Sequence, residues 1–168
     1  MTRVLVAYGS KRGSTAEIAS WIGDTLRGQG LETEVADAGW VRDVTAYDAV
    51  VLGGALYAGR WHKDARRFAR RHAAALFRRP VWLFSSGPLD RSAEETEIPP
   101  VPQVVRASAA LDAVEHRTFG GRLAHDAEGF LASNIAQRSG GDYRDPERVR
   151  AWAQRVAEEV AATRHTDA

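Results

Sequence analysis

The stretch Arg3-Val4-Leu5-Val6-Ala7-Tyr8-Gly9-Ser10-Lys11-Arg12-Gly13-Ser14-Thr15 decides the fold of this chain. It begins with a short, nearly continuous apolar run, which is typical of a strand covered on both faces, and a turn-forming Gly-Ser pair ends that run. Apolar residues then recur at helical spacing at Ile18, Ile22 and Leu26, and Gly28 supplies a stop signal. The stretch therefore predicts a buried strand, a tight loop and a helix in direct succession.

The alternation of strand and helix patterns continues along the chain. Further apolar runs predict strands at Glu32–Ala36, Asp48–Gly54, Val81–Phe84 and Val114–Phe119. Five strands that alternate with helices predict a parallel, doubly wound α/β sheet with helices on both faces. Ligands of such sheets bind beyond the carboxyl ends of the strands, so we expect functional residues in the loops after the first, third and fourth strands.

Three further helices are predicted, over residues 65–76, over 104–111 and from Pro146 onward. Asp145 is a good N-cap residue, and Pro146 suits the first helical position because that position needs no backbone N–H donor. Past Ala161 we expect the last helix to fray. The sequence thus predicts one domain over residues 1–163 and a frayed tail over residues 164–168.

Two segments lack a regular pattern. The stretch Asp90–Pro102 is acidic and rich in proline, which predicts a surface loop. Residues 120–141 form an irregular insertion, with a short helix expected around Phe130, Leu131 and Ile135.

Composition excludes several classes of function. A chain of 168 residues is too short for two ordinary domains, and no apolar run approaches the ~20 residues that span a bilayer. The absence of cysteine excludes disulfides, thiolate metal sites and iron–sulfur clusters, so redox chemistry requires an organic cofactor. The 23 basic and 22 acidic residues nearly cancel, which argues against nucleic acid as a partner. Strand-like sequence starts within three residues of Met1, so we expect no signal peptide and a cytoplasmic location.

The first loop has the chemistry of a phosphate site. Ser10, Lys11, Arg12, Gly13, Ser14 and Thr15 join a strand to a helix N-terminus and supply three hydroxyls together with backbone N–H groups. The spacing lacks the Gly-Lys-Ser/Thr ending of a Walker loop and the glycines of a dinucleotide fingerprint. A purely structural alternative is that Ser14 and Thr15 cap the helix.

Three motifs resemble known flavin-binding families. The stretch Tyr8–Glu17 resembles the FMN-phosphate loop of flavodoxins, Y-G-S-x-T-G-x-T-x-E, with Arg12 in place of the usual Thr. The loop Gly53–His62 resembles the second flavin loop of flavodoxin-like menaquinone-dependent protoporphyrinogen oxidases, and Ser139–Asp142 resembles their C-terminal signature. The resemblance covers about residues 3–160. It implies a flavodoxin-like sheet with strand order 2-1-3-4-5 and FMN as the cofactor.

The resemblance places the isoalloxazine ring of FMN between the second and third loops. In the second loop the implied contacts are Ala55, Leu56, Tyr57, Ala58, Gly59 and Trp61, and those of the third loop are Ser85, Ser86, Gly87 and Pro88. Tyr57 or Trp61 can stack on a planar ring, but Trp61 can equally begin the apolar stripe of the following helix. The third loop lacks the aromatic residue that many flavodoxins place over the flavin, so that face is expected to be open to a substrate.

A basic run follows the second loop. Residues 60–79 contain eight Arg or Lys, with Asp64 as the single acid. Such runs are usually solvated helix faces. The alternative is a docking patch for an anionic partner such as the propionates of a porphyrin.

The predicted function is that of an FMN-dependent oxidoreductase with a small-molecule substrate. The family resemblance implies protoporphyrinogen oxidation with a quinone as acceptor, although the insertion has fewer aromatic and basic residues than that family carries there. The resemblance also allows peripheral contact with a membrane surface, although no transmembrane segment is predicted. The alternative is a flavodoxin that carries electrons to a redox protein without being an enzyme. A receiver domain is excluded because the first strand ends in Tyr8-Gly9-Ser10 rather than beside an acidic cluster.

Overall fold

The computed structural model describes residues 2–11, 13–87, 98–122 and 142–167, with side chains up to Thr163. The predicted insertion helix, most of the Asp90–Pro102 loop, and the side chains of the tail lie outside these residues, as do Arg12, Pro88 and residues 139–141.

The described strands are β1 (Arg3–Gly9), β2 (Glu32–Asp37), β3 (Ala49–Tyr57), β4 (Arg60–Trp61), β5 (Val81–Ser86) and β6 (Glu115–Phe119). The described helices are α1 (Ser14–Gly28), α2 (Lys63–Arg71), α3 (Ala73–Phe77), α4 (Pro102–Leu111) and α5 (Pro146–Asp167). Every strand and helix predicted within the described residues is therefore present.

The sheet has the order β2-β1-β3-β5-β6, and all four of these pairings are parallel. This confirms the predicted flavodoxin-like order of the five main strands. One addition was not predicted: the two-residue strand β4 pairs antiparallel with the end of β3, with Leu56 opposite Trp61. The sheet formed by the described residues thus has six strands rather than five.

The sheet separates two apolar cores. On one face, buried residues of α1 and α5 such as Ile22 and Trp152 pack against Val6, Trp82 and Phe84. We call this the α1/α5 face. On the other face, α2, α3 and α4 pack against the alternate residues of the same strands, including Leu5, Leu52 and Leu83, and we call this the α2/α4 face. Burial on both sides explains why the central strands have nearly continuous apolar sequences.

Two boundaries differ from the prediction. The helix expected over 65–76 is interrupted at His72, which has φ −105° and ψ 15°. The His72 ring is buried and contacts the Phe68 ring one turn earlier, with the ring centroids 4.7 Å apart. At the other end of the chain, α5 continues beyond Ala161 to Asp167 instead of fraying there.

Candidate functional site

The loops after β1, β3 and β5 meet at one edge of the sheet, as parallel topology requires. The backbone N–H of Lys11 in the first loop donates a hydrogen bond to the Tyr57 hydroxyl in the second, at 3.1 Å. The second and third loops also touch, because a Cβ added to Gly87 would lie 2.7 Å from the Cβ of Leu56. The structure therefore brings the three predicted loops together.

The first loop turns through a left-handed residue into α1. Gly13 has φ 84° and is the N-cap of α1, and its backbone N–H donates to the Ser10 hydroxyl oxygen at 3.1 Å. No side chain among the described residues caps the helix. Ser14 and Thr15 lie inside the helix, so the structure does not give them the capping role that the sequence left open.

Thr15 is the clearest sign of a ligand at this N-terminus. Its side chain is fully buried, and its Oγ1 has no hydrogen-bond partner among the described residues. A buried hydroxyl without a partner is costly, so such groups usually mark a place where a ligand or water binds. The space beside Gly13 is open, since an added Cβ would meet nothing within 4 Å. The first loop therefore fits a phosphate group, which accepts hydrogen bonds from hydroxyls and from helix N-termini.

The second loop is shorter than the sequence indicates. Ala55, Leu56 and Tyr57 are the last residues of β3, and the turn itself consists of Ala58 and Gly59, with φ values of 50° and 73°. The Tyr57 side chain remains 39% exposed, and the Lys11 ammonium lies 5.9 Å from its ring centroid. Tyr57 thus presents an aromatic ring beside the first loop.

Trp61 and His62 have structural roles. Of the two roles open for Trp61, the structure shows packing: the indole is 1% exposed in the core of the α2/α4 face and has no free side for stacking. His62 is the N-cap of α2, where its Nδ1 accepts a hydrogen bond from the Asp64 N–H at 3.1 Å. Burial lowers the pKa of His62 below its ordinary value.

A partly buried pair, Ser85 and His116, lies beneath the third loop. Ser85 is 1% exposed, and its hydroxyl lies 2.8 Å from Nε2 of His116 on β6. Burial lowers the pKa of His116 to about 4, so this imidazole is neutral at pH 7. Ser86 is also buried, and the Gly87 N–H donates to the Phe119 carbonyl at 3.1 Å. The serine side chains therefore face the interior, which leaves backbone groups at the loop surface.

Sequence reasoning missed a second support, Arg144, which holds the first turn of α1. Its guanidinium donates to Glu17 at 2.9 Å and to Asp142 at 3.1 Å, and it lies 5.0 Å from the Trp21 ring centroid. The hydrogen bond from Arg144 lowers the pKa of the Asp142 carboxyl. Glu17 and Arg144 are 127 residues apart, so no local pattern connects them; His116 was missed for the same reason.

Neither metal ligation nor a membrane span is found in the described part of the chain. Its His, Asp and Glu side chains form no group of three with the spacing of metal ligands. Within the same ranges, no helix has both the length and the apolar character that crossing a bilayer requires.

The chain is similar in sequence to a curated dehydrogenase over part of its length. The Escherichia coli K12 protoporphyrinogen IX dehydrogenase [quinone] is 27% identical over 95 residues, which are 55% of this chain and 52% of that protein. The chain thus matches about half the length of this curated relative.

Solved structures of similar fold include flavodoxins. A flavodoxin from the domain Archaea matches at TM-score 0.64 and 12% identity, covering 95% of this chain and 99% of that one. The Streptococcus pneumoniae TIGR4 flavodoxin matches at TM-score 0.61 and 18% identity, covering 96% of this chain and 99% of that one. The rubredoxin oxygen:oxidoreductase of Desulfovibrio gigas matches at TM-score 0.65 and 12% identity, covering 96% of this chain and 37% of that one.

The fold, the geometry of the loops and a match to a family model all indicate the same family. The family model described as flavodoxin domain matches residues 5–138, which is most of the chain. This chain belongs to the flavodoxin-domain family, whose cofactor is FMN.

Proposed function

We propose that this protein is an FMN-dependent oxidoreductase that holds the cofactor phosphate at the N-terminus of α1. The single observation that carries the proposal is the Thr15 hydroxyl, which is fully buried and has no partner among the described residues. Ser10, Lys11, Gly13 and Ser14 complete the binding loop, and Arg12, outside the described residues, adds a cation. A dianionic phosphate at this position gains from the partial positive charge of the helix end.

The flavin ring itself is held by the second and third loops. Tyr57 supplies an exposed aromatic side chain that stacks on the flavin ring. The positive φ values at Ala58 and Gly59 turn the backbone close to the flavin. Ala55 and Leu56 support this turn from the end of β3. On the other side, Ser85, Ser86 and Gly87, followed by Pro88, offer backbone groups to the polar edge of the ring. Trp61 supports the second loop from the core.

The flavin supplies hydride or single-electron transfer when it is bound, so the protein needs no nucleophile of its own. The chain itself positions the flavin and keeps the Ser85–His116 pair beneath the third loop in one protonation state. The Ser85–His116 pair stays neutral at pH 7 because burial lowers the pKa of His116 to about 4. A neutral pair places no extra charge beneath the third loop.

The specific form of the proposal is oxidation of protoporphyrinogen with a quinone as electron acceptor. It is supported by the E. coli relative, whose name states that activity, and by the match in the second loop. A third loop without an aromatic residue leaves the ring accessible to a planar substrate. We place this reaction in the cytoplasm, with peripheral contact between the protein and a membrane surface where quinones reside.

The second candidate is a flavodoxin that shuttles electrons to a redox protein. It is favoured by the solved flavodoxins, which match nearly the whole chain. Against it stands the net charge of +1, since a carrier guided to basic partners needs a strongly acidic surface.

The phosphate site is tested by comparing FMN with riboflavin, which lacks the phosphate. The double variant Ser10→Ala and Thr15→Ala removes two donors, each worth about 1.5–3 kcal/mol to a charged group. We expect FMN binding to weaken about 100-fold or more while riboflavin binding changes little, as measured by fluorescence titration. Equal weakening of both ligands would show that the loop does not hold the phosphate.

The enzyme and the shuttle are separated by an anaerobic steady-state assay of the FMN-loaded protein. We expect quinone-dependent oxidation of protoporphyrinogen well above the rate given by free FMN. If the protein binds FMN but shows only that background, the porphyrinogen assignment fails. Quinone reduction from another donor would then identify a quinone reductase, and reduction of a redox protein alone would identify the shuttle.

A further inference from the structure

A groove on the α2/α4 face has no part in the flavin site. It lies between α2, α3 and α4 and has a volume of about 430 Å³, which is within the usual range for small-molecule sites. Its floor consists of alanines, among them Ala69 on α2 and Ala107 on α4. Its rim carries Arg66 and Arg70 on α2 and Arg106 on α4. The groove therefore combines an apolar floor with three cations.

The three arginines have no acidic partners within the described residues. None of them takes part in the ion pairs of that part of the chain, and no acid lines the groove. Elsewhere in the molecule, arginines such as Arg144 and Arg155 contact carboxylates. Guanidinium groups without carboxylates beside an apolar cavity are the arrangement that recognises a carboxylate on an apolar body.

The groove is linked to the second flavin loop through the backbone of Trp61. The Trp61 N–H donates to Oε1 of Gln103 at 3.0 Å, and its carbonyl accepts from Nε of Arg66 at 3.0 Å. Both Gln103 and Arg66 line the groove. Trp61 in turn pairs with Leu56 in the β3–β4 hairpin, directly before Tyr57. A ligand that engages Arg66 or Gln103 therefore acts on the residue that supports the hairpin.

We propose that this groove is a second ligand site, which binds a small amphiphile with an apolar body and a carboxylate head. The apolar body lies over the alanines, and the carboxylate pairs with Arg70 and Arg106. This site goes beyond the proposed flavin chemistry and does not depend on it. The volume suits a small molecule, whereas a stable protein interface buries about 800 Å² on each partner.

The test uses decanoate as the probe and decanol as its neutral counterpart, with binding to the FMN-loaded protein measured by titration calorimetry. We expect one decanoate per chain, bound at least about tenfold more tightly than decanol, because a charge-assisted hydrogen bond is lost with the alcohol. The variant Arg70→Gln with Arg106→Gln should remove this preference. Equal binding of decanoate and decanol, or no binding of either, would overturn the proposal.

A matched control distinguishes the groove from general positive charge. Arg67 and Arg71 lie on the same helix as Arg70 but line a different, smaller cavity with His72. The variant Arg67→Gln with Arg71→Gln removes the same charge, and we expect decanoate affinity to change less than about threefold, as for screened distant charges. A loss as large as that of the groove variant would show that net charge alone attracts the probe.

Two further measurements locate the probe. Ala107→Phe fills the floor without changing the charge, and we expect it to abolish decanoate binding while circular dichroism and the bound-flavin spectrum stay unchanged. In nuclear magnetic resonance spectra, decanoate should shift the backbone amide of Trp61 in the wild type. Retained binding in Ala107→Phe, or an unshifted Trp61 amide in the decanoate-bound wild type, would refute the site or its link to the hairpin. The flavin spectrum reports separately on the FMN site.

Discussion

The two faces of the sheet treat their buried tryptophans differently. On the α1/α5 face, the indole N–H of Trp82 donates to Glu159 at 2.6 Å, and that of Trp152 donates to Glu115. On the α2/α4 face, Nε1 of Trp61 is buried and has no partner among the described residues. The first face therefore satisfies the polar groups of its large side chains internally, whereas the second does not.

The two faces also differ in how their charged side chains are paired. On the α1/α5 face, carboxylates and arginines pair with each other, as in Glu17 with Arg144 and Glu115 with Arg155. The helices of the α2/α4 face present arginines without such partners in the described part of the chain, as at Arg70 and Arg106. Charged side chains on the α1/α5 face are thus neutralised in pairs, whereas the arginines on the helices of the α2/α4 face have no acidic partner among the described residues.

The largest expected effect concerns packing at two adjacent glycines. A Cβ on Gly53 would lie 1.9 Å from the Phe84 ring on the α1/α5 face, and one on Gly54 would lie 2.6 Å from the Trp61 indole on the other. We expect Gly53→Ala to lower the free energy of unfolding by about 3 kcal/mol or more, and Gly54→Ala by about 1–3 kcal/mol. Urea unfolding measures both. A larger loss for Gly54→Ala would show that the α2/α4 face accommodates an added methyl group less readily than the α1/α5 face.

The next effect is loss of stability in acid on the α2/α4 face. Burial lowers the pKa values of His62, His72 and His116, the last to about 4. Between pH 6.5 and the lowered values the unfolded chain binds more protons, so stability falls as the pH drops through this range. His116 alone contributes a loss of about 2–3 kcal/mol by pH 4, from 1.4 kcal/mol per pKa unit.

The α1/α5 face provides the contrast and the control. Asp142 has a lowered pKa because Arg144 stabilises its charged form, so its contribution is present above pH 3.8 and is lost only at more acid pH. We expect amide exchange at pH 4.5 to increase first in α2 and α4. His116→Gln should flatten the dependence of unfolding free energy on pH between 6.5 and 4.5. An unchanged slope would mean that this histidine is not the group that titrates.

The smallest expected effect on stability is the loss of a single hydrogen bond. Trp82→Phe and Trp61→Phe both remove an indole ring of similar burial, but only the first removes a donated hydrogen bond seen in the structure. We therefore expect Trp82→Phe to be more destabilising by about 1 kcal/mol. Thermal unfolding at pH 7 measures the difference. If the two variants are equally destabilised, the contact between Trp82 and Glu159 contributes nothing net.

Local sequence patterns were sufficient for the main elements of the fold. The apolar run Val4–Ala7 and the pair Asp145-Pro146 predicted β1 and the start of α5, because burial on both faces and helix capping leave direct marks in sequence. The strand β4 was not predicted, since two residues carry no periodicity and the Ala58-Gly59 turn alone sets their pairing. The interruption at His72 was not predicted, because residues 65–77 contain neither glycine nor proline.

The candidate site was predictable only where its residues are neighbours in sequence. The first loop was identified because its hydroxyls and glycine directly follow a strand. The roles of Trp61, His116 and Arg144 were not decided by sequence, because each depends on a partner brought close by folding. Burial, which made Trp61 a core residue, is a property of the whole fold and not of the motif that contains it.

The contact between Arg144 and Glu17 has a consequence for biosynthesis. The first loop leaves the ribosome well before Arg144, which is made 127 residues after Glu17. Chains are synthesised at about 5–20 residues per second, so the loop exists for several seconds or more before its supporting cation. During that interval the carboxylate of Glu17, in the first turn of α1, lacks this counter-charge. Tight capture of an anionic cofactor is therefore expected late, after α5 has begun to form.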